Sequence, residues 1–109
     1  MVGRVSVPAM PTFVMLSTLG PDGYSRLLDD PQRVRAVNAD VEAMGVKVLA
    51  QYALLGQYDF LNILEAPDEL TMAKVATTLS ARGTMRSVTL TAIEVDAYLD
   101  VMGTAVAED

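Results

Sequence analysis

The chain has no cysteine and no histidine. Without cysteine there is no disulfide, no thiol nucleophile and no thiolate metal site. Without histidine, the Ser-His-Asp triad, the usual zinc sites and a near-neutral imidazole base all drop out. Positive charge is scarce as well: 8 Lys and Arg stand against 14 Asp and Glu, for a net charge of −6. The basic residues are scattered and form no basic–aromatic stripe. Nucleic-acid affinity rests on clustered Lys and Arg, so no nucleic-acid partner is expected. No apolar run approaches the ~20 residues of a membrane span. Residues 1–9 carry Arg4 but lack the apolar segment of a signal peptide. The expectation is a cytoplasmic protein with no membrane association.

Several cofactor and metal signatures are missing too. Gly20-Pro21-Asp22-Gly23 has no lysine placed as a phosphate loop needs it. The seven methionines include no Met-x-Met cluster, and methionine more often fills irregular cores or adaptable interfaces. The acidic pairs Asp29-Asp30 and Asp68-Glu69 read as helix starts. No cofactor and no metal are expected.

Apolar residues are plentiful, at 51% of 109 residues with only 20% charged. That is the upper end for a soluble domain. The length suits one domain, spanning residues 10–102 between a loose N-terminal tail (1–9) and a loose C-terminal tail (103–109). Part of the apolar excess is expected to lie against another subunit.

Alternation and turn chemistry predict the elements. Thr12 to Thr18 is a strand apolar on both faces, Phe13 and Met15 pointing one way and Val14 and Leu16 the other. Leu19 to Gly23 is a turn cluster, followed by a short helical turn from Tyr24 to Leu28. Asp30 caps and Pro31 opens a helix whose apolar stripe is Val34, Val37, Val41 and Met44, ending at Gly45. Val46 to Leu54 is an edge strand, with Val48, Ala50, Tyr52 and Leu54 on one face and Gln51 on the other. Leu55-Gly56-Gln57 makes a hairpin into the strand Tyr58 to Glu65. Pro67 opens a second helix, with Asp68 and Glu69 complementing its dipole; Met72, Val75, Ala76 and Leu79 form its stripe and Gly83 ends it. Thr84 to Ile93 is the fourth strand, and Val95 to Met102 a final short helix.

Strand-helix-strand twice over is the split βαβ pattern. The fold predicted is α+β and ferredoxin-like, a βαββαβ chain with a four-stranded antiparallel sheet and both helices on one face. The first and third strands would be central, and their second apolar faces would then lie bare. Monomers seldom tolerate such a patch, so a homodimer or higher homo-oligomer, sheet against sheet, is expected.

Gly56-Gln57-Tyr58-Asp59, then an apolar strand and Glu65-Ala66-Pro67-Asp68, resembles the GYD domain family. Met10-Pro11-Thr12-Phe13-Val14 looks like that family's start, and Met85-Arg86-Ser87-Val88-Thr89-Leu90 like its last strand. The likeness covers roughly residues 10 to 94. It implies the dimeric α+β barrel superfamily, and so the same face-to-face dimer. Asn62 departs from the family pattern, which is generally aliphatic there, so a polar group is expected to face an interior.

Each candidate for chemistry has a plain reading beside the functional one. Gly56 permits the positive φ of a hairpin turn, and Asp59 at a hairpin end binds backbone amides or an arginine more often than it acts as a base. Both are read as structural turn residues. Glu65 and Arg86 are read as an ion pair or an inter-subunit bridge. Tyr52, Tyr58, Asn62 and Arg86 are the candidate ligand-binding residues. The first functional reading is a self-associating domain that binds a small organic ligand between sheet and helices. The alternative, implied by the superfamily resemblance alone, is a cofactor-independent enzyme of monooxygenase or isomerase type. No catalytic residue stands out.

Overall fold

The computed structural model describes residues 10–107, and the tail expected at 1–9 lies outside them. Eight elements follow one another: strand β1 (Thr12–Leu19), helix α1 (Pro21–Asp29), helix α2 (Arg33–Ala43), strand β2 (Lys47–Ala53), strand β3 (Phe60–Glu65), helix α3 (Glu69–Ala81), strand β4 (Met85–Ala92) and helix α4 (Val95–Ala107). The strands form one antiparallel sheet in the order β2-β3-β1-β4. The two strands with apolar residues on both faces, β1 and β3, are therefore central, and the frame β1-α2-β2-β3-α3-β4 is ferredoxin-like.

Register sorts the side chains between faces. Phe13 pairs with Leu64, Met15 with Asn62 and Ser17 with Phe60 across β1 and β3, so all six share one face. On that face Phe13, Met15 and Leu64 form the core with Val41 of α2 and with Met72, Val75 and Leu79 of α3. Both helices thus cover the same side of the sheet, as an amphipathic stripe must when the opposite helix surface is polar. An exposed ion pair, Arg82 to Asp40 at 3.2 Å, links the end of α3 to α2 and adds little to stability.

Helix starts follow the local chemistry with shifts of a residue or two. Asp68 is the N-cap of α3, its Oδ1 accepting from the Thr71 N–H at 2.7 Å. That hydrogen bond lowers the Asp68 pKa below its ordinary value. Asp30 Oδ1 accepts from the Gln32 N–H at 3.2 Å, one turn before α2 begins. Three departures from the sequence reading stand out. What reads as a turn at Gly20-Pro21-Asp22 is the first turn of α1, because proline fits the first helical position and Asp22 suits a helix start. The hairpin is longer than Leu55-Gly56-Gln57: β2 ends at Ala53 and β3 begins at Phe60, with Gly56 at φ 121° in between. The last helix continues past Met102 to Ala107.

Helix α1 is pinned by a close backbone approach. The Gly20 N–H donates to the Thr84 carbonyl at 3.0 Å, and a Cβ on Gly23 would lie 2.4 Å from that same oxygen. A backbone acceptor cannot swing aside as a long side chain does. Gly23→Ala is therefore expected to lower stability by about 1–3 kcal/mol through overpacking. Gly20→Ser, whose Cβ would be 4.0 Å from Thr84 O and whose hydroxyl can cap α1, is expected to be neutral or stabilising. Urea unfolding followed by circular dichroism checks both; equal losses would contradict the close approach.

Candidate functional site

Two features of this frame are candidates for function, one on each sheet face. On the helix side a cavity of about 100 Å³ lies beneath α2. Its walls are mainly aliphatic and thioether groups, Met15, Val37, Val41, Val75 and Met85 among them. Into this apolar surround project three side-chain amides from three different elements. Gln51 Nε2 of β2 donates to Asn38 Oδ1 of α2 at 3.1 Å and to Asn62 Oδ1 of β3 at 2.7 Å. Asn38 Nδ2 donates back to Gln51 Oε1 at 2.9 Å. The Ser17 hydroxyl, on a residue only 3% exposed, lies on the same wall. Amides drawn part-way out of water without partners carry a cost, and this half-buried trio meets it internally.

Asn62 is thus where the sequence reading puts it, facing an interior. Its companions differ from those expected. A β-bulge between Val48 and Ala50 shifts the register of β2, so Val48 pairs with Leu64 and Gln51 with Asn62. Strict alternation would put Gln51 on the opposite face from Val48; the extra residue turns it inward and Tyr52 outward. Tyr52 is paired with Leu61 and 56% exposed. Arg86 pairs with Thr18, on the outward face at the far edge of the sheet. Tyr58 is half-buried in the hairpin loop and does not line the cavity. Of the four candidate ligand residues the structure brings only Asn62 to the cavity. Asn38 and Gln51 escape the sequence reading. Asn38 carries a usable signal, since it sits at helical spacing within the stripe Val34, Val37 and Val41. Gln51 carries none, because nothing in the sequence announces the bulge.

Gly56, Tyr58 and Asp59 belong to the loop that ends next to this cavity. The Asp59 backbone donates to Ser17 O at 2.8 Å and accepts from the Leu54 N–H at 2.8 Å. Its carboxylate Oδ2 accepts from the Leu19 N–H at 2.8 Å and from the Tyr24 hydroxyl at 2.7 Å. One residue thereby ties the hairpin, the end of β1 and helix α1. The hydrogen bond to Asp59 raises the Tyr24 pKa above its ordinary 10.0, with burial and the carboxylate's charge acting in the same direction.

The other sheet face is bare of helices among the described residues. Two rows of cross-strand neighbours cross it: Ala50, Ile63, Val14 and Leu90 in one, Tyr52, Leu61, Leu16 and Val88 in the next. Such neighbours touch, so the eight form one apolar patch, and Val88 and Leu90 are 44% and 49% exposed. Polar residues bound it, with Thr12 and Glu65 at one end and Thr18 and Arg86 at the other. The run from Thr12 to Thr18 is about 20 Å of strand, so Glu65 and Arg86 are too far apart to pair within one chain. That excludes the intrachain ion pair. Beyond the sheet, α4 exposes Val95, Tyr98, Leu99, Val101 and Met102, and among the described residues no other element packs closely on it.

A ferredoxin-like sheet with a small, mainly apolar cavity on one face and a bare apolar patch on the other defines a small α+β domain. The chain belongs to the GYD domain family, whose model matches residues 13–102. It is 48% identical over 87 residues to a Thermus thermophilus protein named glutamine synthetase and cystathionine beta-lyase binding protein, a match covering 79% of this chain and 92% of that one. No solved structure matches the chain at a significant level. No helix of the described residues is long and apolar enough to cross a membrane.

The Tyr24–Asp59 contact carries a pH signature. A phenol whose pKa is raised on folding contributes stability that is present below about pH 10 and lost as pH rises through the folded value. In an alkaline ultraviolet titration Tyr24 is expected to ionise at lower pH in Asp59→Asn than in the unsubstituted chain. A Tyr24 transition unmoved by that substitution would contradict the contact.

Proposed function

We propose that this protein is a self-associating protein-binding module, in which two copies pair their bare sheet faces and the assembly holds an enzyme partner. The observation that carries the reading is the eight-residue apolar patch, which both core helices leave uncovered. Apolar patches of this kind on soluble domains mark interaction surfaces. A second copy is the natural cover, since an isologous pairing sets the same patch against itself. In an antiparallel pairing the Arg86 end of one copy approaches the Glu65 end of the other, so a bridge between subunits replaces the intrachain pair. The partner-binding half of the reading rests on the Thermus thermophilus relative, whose name assigns it two enzyme partners. The exposed apolar side of α4 is the surface left for such a partner once the sheets have paired. The cytoplasmic location expected from the sequence belongs to the same proposal.

The cavity supports a second role for the same fold, as a small-ligand site between sheet and helices. Its polar groups are amides and a hydroxyl, which hold and orient a molecule but do not exchange protons near neutral pH. That lining favours binding over the acid–base chemistry of a cofactor-independent enzyme.

Sedimentation equilibrium at micromolar concentration is expected to show a dimer or larger species. Leu16→Asp, at the centre of the patch, is expected to weaken association by roughly 3–5 kcal/mol, the cost of an unpaired buried charge. Leu28→Asp, at a side chain 84% exposed on α1, is expected to leave it unchanged. A monomeric unsubstituted chain would overturn the dimer. Co-elution with purified glutamine synthetase from the same organism tests the partner, and substitution of Leu99 by Asp is expected to abolish it while leaving the dimer intact.

A further inference from the structure

We infer that the cavity beneath α2 takes an uncharged molecule with an apolar body and one carbonyl or hydroxyl oxygen, and that Asn62 reads that oxygen. The inference rests on the reading of the cavity as a small-ligand site and names the class of ligand it accepts.

Size sets the first limit. An apolar protein cavity of about 150 Å³ holds benzene, so a space of about 100 Å³ suits on the order of four non-hydrogen atoms. Charge sets the second. No Lys, Arg, Asp, Glu or Tyr is among the residues lining the cavity, and an ion moved out of water without a partner is strongly disfavoured. Carboxylates and ammonium compounds are rejected for that reason.

The amide trio sets the third. Its three hydrogen bonds spend Gln51 Nε2 twice and Asn38 Nδ2 once, while Asn62 contributes only its Oδ1. The Asn62 Nδ2 donors take no part in these bonds, and Asn62 is the member of the trio seated on the central strand β3, opposite Met15. Gln51 anchors the Asn62 amide from its far end, which fixes its orientation before a ligand arrives. An acceptor oxygen on the ligand completes it. A pure hydrocarbon fills the same volume but leaves those donors without a partner, a loss that makes polar recognition selective.

The test uses the full chain and three probes of four non-hydrogen atoms each: acetone, acetate and isobutane. Carbon-labelled methionine methyls report the cavity at Met15 and Met85 by nuclear magnetic resonance. Acetone is expected to shift both methyls and the Asn62 side-chain amide saturably, and acetate at pH 7 is expected to shift neither. Isobutane is expected to bind at least tenfold more weakly than acetone. Asn62→Leu is expected to remove that tenfold preference. If isobutane shifts the methyls as readily as acetone in the unsubstituted chain, the class is wrong while the cavity remains a ligand site. If acetate binds as well as acetone, the exclusion of charge is wrong. If no probe shifts either methyl, the ligand-site reading and the class fall together. The unsubstituted chain alone decides among these outcomes, so they stand even if Asn62→Leu folds poorly.

Discussion

Strands β1 and β3 carry apolar side chains on both faces, and the remaining architecture answers that demand. One face offers Phe13, Met15 and Leu64, which α2 and α3 cover with Val41, Met72, Val75 and Leu79. The opposite face offers Val14, Leu16, Leu61 and Ile63, and the described residues hold no further core helix to place over it. A half-buried antiparallel strand normally alternates apolar with polar. The absence of that alternation in the two central strands, set against a clear alternation of exposure in β4, concentrates apolar surface at the sheet centre. Covering it by a second copy satisfies the demand without enlarging the fold.

The cavity depends on a local violation of the same alternation. Had β2 continued its period of two, Gln51 would face outward beside Lys47 and a hydrophobe would meet Asn62. The single-residue shift between Val48 and Ala50 instead sets an amide opposite Asn62 and within reach of Asn38. Three half-buried amides are a poor choice for stability compared with aliphatic packing, yet each meets a partner, so the cost is contained. Polar groups that make a core less apolar than it need be, at the wall of a space left unfilled, are the observation on which the ligand-site proposal rests.

Much of the frame was legible in the sequence because it follows from periodicity and from a few local rules. The βαββαβ order, the central placement of β1 and β3, and the helix stops at Gly45 and Gly83, with φ of 94° and 79°, all come from such rules. Helix α1 reads in the sequence only as a helical turn from Tyr24 to Leu28, because Gly-Pro-Asp-Gly is as good a turn as a helix start, and the packing of Gly23 on Thr84 decides between them. The candidate site was legible in one residue of three. Asn62 stood out as a polar residue in an apolar strand. Asn38 was visible in principle within its helical stripe, and Gln51 depended on a bulge that leaves no compositional trace. The bulge turns Tyr52 outward, and Arg86 lies opposite Thr18 on the outward face, so neither joins Asn62.

The residues that most invite a catalytic reading, Gly56, Tyr58 and Asp59, bear on the cavity in a different way. Asp59 holds Ser17 O through its N–H, and Leu19 N–H and the Tyr24 hydroxyl through its carboxylate. Ser17 and Leu19 are themselves cavity residues, and Phe60, the residue after Asp59, is another. The carboxylate therefore fixes the end of β1 and the start of β3 where their side chains bound the cavity, and it holds α1 against them. Its Oδ2 accepts from both a backbone amide and a phenol, an arrangement suited to positioning. The same contact fixes the strand ends that present Leu16 and Leu61 outward, since one backbone carries both faces. A change at Asp59 thus reaches the cavity and the apolar patch together, because the register of β1 against β3 is common to both.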